Sequence, residues 1–137
     1  MAIPDANLYE YAVVRYVPRV DREEFLNIGL IMMCKRRKWL RGEIRLNEER
    51  IKAFYAGAEL DSLERQASIF TREDIPSADI PVEERYRWLV AVKSAILQVS
   101  PSHPGLLADE NPDDIADASA YARLDSEFET LFNDLVS

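Results

Sequence analysis

Residues 8–17, LYEYAVVRYV, decide the fold. Strand alternation places Tyr9, Tyr11, Val13, Arg15 and Val17 on one face and Ala12, Val14 and Tyr16 on the other. Both faces carry bulk, so the segment reads as a central strand. Pro18 has no N–H to give to a ladder and ends it, and the polar stretch Arg19 to Glu24 forms the connection. A second apolar run follows from Phe25 to Cys34. Lys35 to Lys38 reads as a short turn. In the third strand, Trp39 to Leu46, the residues Trp39, Arg41, Glu43 and Arg45 alternate with Leu40, Gly42, Ile44 and Leu46. Three strands joined at short spacing predict an antiparallel meander.

Beyond the meander the period changes. Asn47 is an N-cap for a short helix from Glu48 to about Tyr55, without the glutamate that would complete a capping box, and Gly57 follows. Leu60, Leu63, Ala67 and Phe70 recur at three, four and three, which lays one apolar stripe along a helix from Glu59 to Phe70 that packs on the sheet. A loop over 74–81 precedes a polar turn of helix and the apolar run Trp88 to Val92. Ser94 to Val99 is a further strand, and Pro101, Pro104 and Gly105 are expected to interrupt regular structure. Ile115, Ala118, Tyr121, Leu124, Phe128, Leu131 and Leu135 then mark a tail helix whose acidic residues lie outside the stripe. The expected fold is a single α+β domain over 1–137. It has an antiparallel sheet of about five strands, helices packed on one face, and a C-terminal acidic amphipathic helix.

Composition bounds the function. The chain has 137 residues, 47% of them hydrophobic and 31% charged, with a formal net charge of −8. That balance argues against a protein whose main work is neutralising nucleic-acid phosphates or anionic lipid. The charge is uneven. Lys and Arg against Asp and Glu count ten to eight over residues 1–50, six to eight over 51–100, and one to nine over 101–137. One cysteine, Cys34, allows no internal disulfide, and one histidine makes structural zinc improbable, so neither metal nor cofactor is expected. The longest apolar stretch, Ile28 to Cys34, is too short to span a bilayer, and Met1 to Asn7 lack a secretory start. A cytoplasmic protein is expected.

The segment Tyr11 to Cys34 contains Arg15, Val17, Pro18, Glu24, Phe25, Asn27 and Gly29. They fit a pattern of strand, Arg-x-Val-Pro, polar loop, then Gly-Glu-Phe-Val-Asn-x-Gly and an apolar strand, with Glu23 where the first Gly is expected. Trp88 to Leu106, WLVAVKSAILQVSPSHPGL, fits a second block: Trp-Leu, a basic residue plus Ser, an apolar strand, and Ser-Pro-x-His-x-Gly, with Lys93 in place of Arg. On both blocks the chain resembles a bacterial family catalogued as domain of unknown function 3037. The resemblance names a relative without naming an activity. Through the family's gene neighbours it implies a HipA-like kinase, and a toxin–antitoxin-type system, as partner.

Several polar groups are candidates for chemistry. Arg15 lies among bulky residues where a lone guanidinium is costly, so it needs a carboxylate or a ligand anion. In a structural reading Glu24 is that carboxylate, Asn27 bonds loop backbone, and Gly29 allows close backbone approach. In a functional reading Arg15, Arg19 and Lys93 form an anion pocket. Ser100, Ser102 and His103 place hydroxyls beside an imidazole, but a proline-broken loop supplies neither an orienting acid nor an oxyanion site, and binding or loop ordering accounts for them better than catalysis. Cys34, at the end of an apolar strand, reads as a small hydrophobe. Asp109, Glu110, Asp113, Asp114 and Asp117 lack the spacing of a calcium loop and suit a helix start. Lys35 to Lys38 reads as a solvated hairpin tip.

No residue is assigned a catalytic role. The candidate anion or partner site comprises Arg15, Arg19, Glu24, Asn27, Lys93, Ser100 and His103. The expectation is a protein-binding or accessory module rather than an enzyme. The alternative is a small hydrolase or transferase acting on a phosphorylated or nucleotide-like substrate through Arg15, Lys93 and His103.

Overall fold

The computed structural model describes residues 6–70, 79–91, 94–108 and 118–136. The meander is present: β1 (Ala6–Tyr16), β2 (Leu26–Cys34) and β3 (Trp39–Ile44) pair antiparallel in sequence order. Four helices, α1 (Glu48–Phe54), α2 (Leu60–Ala67), α3 (Val82–Val90) and α4 (Ala118–Val136), and two further strands, β4 (Leu97–Val99) and β5 (His103–Ala108), complete an α+β fold.

β1 is central, as its two bulky faces predict. β2 lies along one edge, and β4 and β5 lie along the other, both antiparallel. From Val14↔Val99 to Tyr11↔His103, β1 moves three residues while its partner moves four, so one extra residue is absorbed between β4 and β5. β5 corrects the expectation that Pro104 and Gly105 exclude a strand. Among the described residues β5 bonds only β1, and proline is tolerated on such an edge, where its missing N–H need cost no ladder bond. Gly105 is required there because a Cβ would run into the buried ring of Tyr9.

The two rows of β1 become two cores. Val14 and Tyr16, with Ile28, Ile31 and Met33 of β2, pack under Ile51 of α1, Leu63 and Ala67 of α2, and Tyr86 and Leu89 of α3. Tyr9 and Val13, with Leu30, Met32 and Cys34, pack under Leu124, Phe128, Phe132 and Val136 of α4. Helices α1 to α3 thus share one face and α4 takes the other. In α4 the buried row is Ala120, Leu124, Phe128, Phe132 and Val136, while Ala118 is exposed. The helix therefore presents an i±4 ridge to the sheet, not the mixed three-and-four stripe through Ala118.

Local signals explain the ends. Asn47 Oδ1 accepts from the Arg50 N–H at 3.1 Å, which caps α1 without a glutamate. The Pro81 carbonyl accepts from Glu84 and Arg85, both at 3.0 Å, and α3 continues through Trp88 as one helix. Two chain features keep β2 and β3 close. Lys38, with φ 52°, closes their turn, and at Gly29 a Cβ would lie 2.8 Å from the Glu43 carbonyl and against Ile44.

Candidate functional site

Arg15 and Asn27 lie on the α4 face of the sheet. Arg15 on β1 stands opposite Asn27 on β2 and Gln98 on β4. Its guanidinium does not meet Glu24. It lies 4.1 Å from the ring centre of Phe25, a half-exposed side chain, and its buried Nε has no hydrogen-bond partner. Glu24 instead bonds Arg22 Nε at 2.6 Å, with both side chains more than half exposed. The reason is local: a 3-10 turn over Val20–Arg22, closed by Glu23 in the left-handed region, swings Glu24 out of the loop beside Arg22. Arg19 is likewise taken up by Asp21 at 2.7 Å in water, and that bond holds the Asp21 carboxyl below its usual range. Lys93 lies outside the described residues, as does the acidic group Asp109 to Asp117.

Asn27 departs from the expected loop contact. Its amide donates to the Leu135 carbonyl in the last turn of α4 at 3.0 Å, and its own carbonyl accepts from Arg50 of α1 at 2.7 Å. Its side-chain oxygen is buried without a partner. Arg45, one strand further along, lies 4.6 Å from the ring centre of Phe132.

Ser100 and His103 sit on the other edge. Ser100 is buried opposite Val13: its N–H donates to the Val13 carbonyl at 2.9 Å, and its Oγ accepts from the Val13 N–H at 2.9 Å. The hydroxyl thus stands in for a backbone carbonyl where the extra residue interrupts the ladder. His103 stands opposite Tyr11, ring centres 5.3 Å apart, on an exposed strand. Arg15 is four residues further along β1, about 13 Å at strand rise. The structure therefore brings Arg15 and Asn27 together and keeps His103 away from them.

Ser102 bonds a group absent from the predicted set. Its Oγ lies 2.8 Å from the Tyr86 hydroxyl and donates to Glu10 at 3.4 Å. Burial pushes the Tyr86 phenol up to about 12, the Ser102 bond opposes this, and the Glu10 charge adds to it. Cys34 is fully buried and burial raises its thiol, although backbone N–H groups of Arg37 and Arg36 pull the other way. The basic turn is not wholly solvated. Lys35 and Lys38 are exposed, but Arg37 is 1% exposed, donates from Nε to Asn7 Oδ1 at 3.2 Å, and offers its carbonyl to Tyr121 of α4 at 2.9 Å. The turn thus buries one of its four cations.

On the opposite face a groove of about 620 Å³ opens between the end of β3, α1 and α2. Ile44, Leu46, Leu60 and Ala67 line it with Glu48, Asp61, Glu64 and Ser68. None of these three carboxylates is in an ion pair among the described residues. Sequence reading missed the groove because its residues come from three elements and each acid alone looks like a solvated helix surface. The one available signal was Glu64: Glu48 and Asp61 are followed four residues on by Lys52 and Arg65, but Glu64 by Ser68, so Glu64 has no cation at that helical spacing.

The model of the family described as "Protein of unknown function (DUF3037)" matches residues 11–117. The chain belongs to this family. The matched span runs from the middle of β1 through β5, so both blocks on which the resemblance was read fall within it. No curated protein and no solved structure matches the chain. Among the described residues, no three His, Cys, Asp or Glu side chains gather to hold a metal ion, and no helix is long and apolar enough to cross a membrane.

Proposed function

We propose that the protein is a binding module that docks a basic, amphipathic segment of another protein in the groove between β3 and α2. One observation carries this reading: an open apolar floor beneath three carboxylates that are in no ion pair among the described residues. Like charges around a low-dielectric cleft raise the local negative potential. A segment bearing Lys or Arg along one side and apolar residues along the other would cover the floor and neutralise the rim, which favours both encounter and register. A HipA-like kinase is the partner that the family resemblance implies, and it is a candidate source of such a segment. We place this activity in the cytoplasm, where a lone buried thiol stays reduced.

The hydrolase or transferase reading has less support, because Arg15 and the β1 position opposite His103 stand about 13 Å apart along the strand. The test of the binding reading is affinity capture from the native host with the wild-type protein and with an Asp61→Lys, Glu64→Lys variant. A protein retained reproducibly by the wild type and lost by the folded variant supports it. Equal retention by both, or no reproducible partner, overturns it.

A further inference from the structure

We infer that two copies of the chain pair along the outer edge of β5, antiparallel about a two-fold axis at Leu106, and so join their sheets into one. The direction of the edge follows from the ladder beside it. The Val13 carbonyl accepts from the Ser100 N–H, and the Val13 N–H donates to Ser100 Oγ, both at 2.9 Å. Peptide groups along a strand turn alternately to its two sides, so those of Tyr11, Tyr9 and Asn7 turn the same way, toward their partners His103, Gly105 and Leu107. The peptide groups of Pro104, Leu106 and Ala108 therefore point away from β1. Among the described residues nothing bonds them.

The two outer strands of the sheet are guarded differently. β3 carries Arg41 and Glu43, and the Phe70 carbonyl packs on Gly42, the charge and cover that keep an edge from pairing. β5, HPGLLA, carries no Asp, Glu, Lys or Arg. Its one guard is Pro104, whose missing donor faces outward. Leu106 is 51% exposed and its cross-strand partner Leu8 is 58% exposed, the two most exposed large hydrophobic side chains among the described residues. Single exposed leucines are ordinary, but two in register beside an unguarded edge mark a surface that pairs.

A second copy fits this edge. The edge offers donors from Leu106 and Ala108 and acceptors from Pro104, Leu106 and Ala108. About a two-fold at Leu106, each Leu106 exchanges N–H···O bonds with Leu106 of the second copy, and each Ala108 N–H donates to the Pro104 carbonyl of the second copy. Every outward donor is used, and the proline, which has none to give, stands opposite Ala108. Leu8 and Leu106 of both copies then leave water together on one face. Because β5 is uncharged, pairing it with itself sets no like charges opposite one another. One short edge and two leucines a side make a small interface, so the dimer is weak and concentration-dependent. The groove lies beyond β3, at the opposite edge of the sheet, and this inference does not rest on it.

Sedimentation of the full chain over a concentration series tests it, in moderate salt to screen the repulsion between two chains of net charge −8. A monomer–dimer equilibrium is expected, with a dissociation constant of about 10 μM or weaker. Leu106→Glu, at a half-exposed position, sets like charges opposite each other and should weaken the dimer by about tenfold or more. Oxidative cross-linking reads the register. Directly opposed Cα atoms of a hydrogen-bonded pair lie about 5.5 Å apart, within disulfide reach, whereas the two Ala108 positions would lie about 13 Å apart. Leu106→Cys should therefore cross-link into dimers, while Ala108→Cys, and the wild type with its buried Cys34, should not. If Leu106→Glu does not fold, the two cysteine variants carry the test. A monomer up to about 1 mM, the result if another segment closes the edge, overturns the inference. So does an undiminished dimer in folded Leu106→Glu, or equal cross-linking at positions 106 and 108.

Discussion

The side-chain amide of Asn27 donates to the carbonyl of Leu135 at 3.0 Å, across 108 residues of sequence. It pins the last turn of α4 to the start of β2. The helix is held at two further points. Tyr121 donates to the Arg37 carbonyl at 2.9 Å, and Arg41, 4.3 Å from the Phe128 ring centre, reaches Asp125 at 3.4 Å and also Glu129. The exposed ion pairs contribute little, so the buried row from Ala120 to Val136 supplies most of the attachment and the hydrogen bonds set the register.

Asn27→Ala removes the pin without touching that row. The expected loss is about 1 kcal/mol of global stability, the net worth of one such bond. Faster amide exchange should be confined to the last turn of α4. Denaturant unfolding and hydrogen exchange measure the two quantities, and exchange spread evenly along α4 would contradict this assignment.

Gly29 has no room for a side chain. A Cβ there would meet the Glu43 carbonyl at 2.8 Å as well as Ile44 and Val14, and backbone cannot swing aside as a side-chain tip can. Gly29→Ala should therefore destabilise by about 1–3 kcal/mol, an overpacking cost, and strain the β2–β3 pairing. Gly57→Ala, where the atoms nearest a Cβ belong to the Tyr55 side chain in an exposed turn, should cost less in the same urea titration.

The Tyr86 phenol, raised by burial to about 12 from its usual value of 10.0, makes stability pH-dependent. The folded state keeps a proton that the unfolded chain releases above pH 10. The stabilisation is therefore complete below that value and is lost as pH rises from about 10 to about 12. Burial also raises Tyr9 and Tyr16, which act in the same direction. Tyr86→Phe should flatten, without abolishing, the fall in unfolding free energy over this alkaline window. An unchanged slope would show that Tyr86 ionises equally in both states.

Patterning revealed what depends on neighbours in sequence. The alternation of Tyr9 to Val17 disclosed a central strand, and Asn47 and the Leu60 to Ala67 stripe disclosed two helices. What stayed hidden depends on long-range placement. Pro104 is tolerated because β5, among the described residues, bonds a single neighbour, which no local window reveals. Glu24 lies nine residues from Arg15, and only the left-handed backbone at Glu23 sends it to Arg22 instead. Arg37 looks in sequence like its three basic neighbours, yet it is buried and bonded to Asn7, 30 residues away. Arg15 and Asn27 were selected from sequence, but Arg45 and Arg50 join them only through the β3 turn into α1.

The most direct measurement of the central claim is site-specific photo-crosslinking in the native host. A photoreactive amino acid replaces Asp61, on the rim of the groove, and, in a separate protein, Ala122 on the exposed side of α4. The account predicts a discrete protein adduct from position 61, absent from position 122 and suppressed by Glu64→Lys. No adduct at position 61, or the same adducts at both positions, would contradict it.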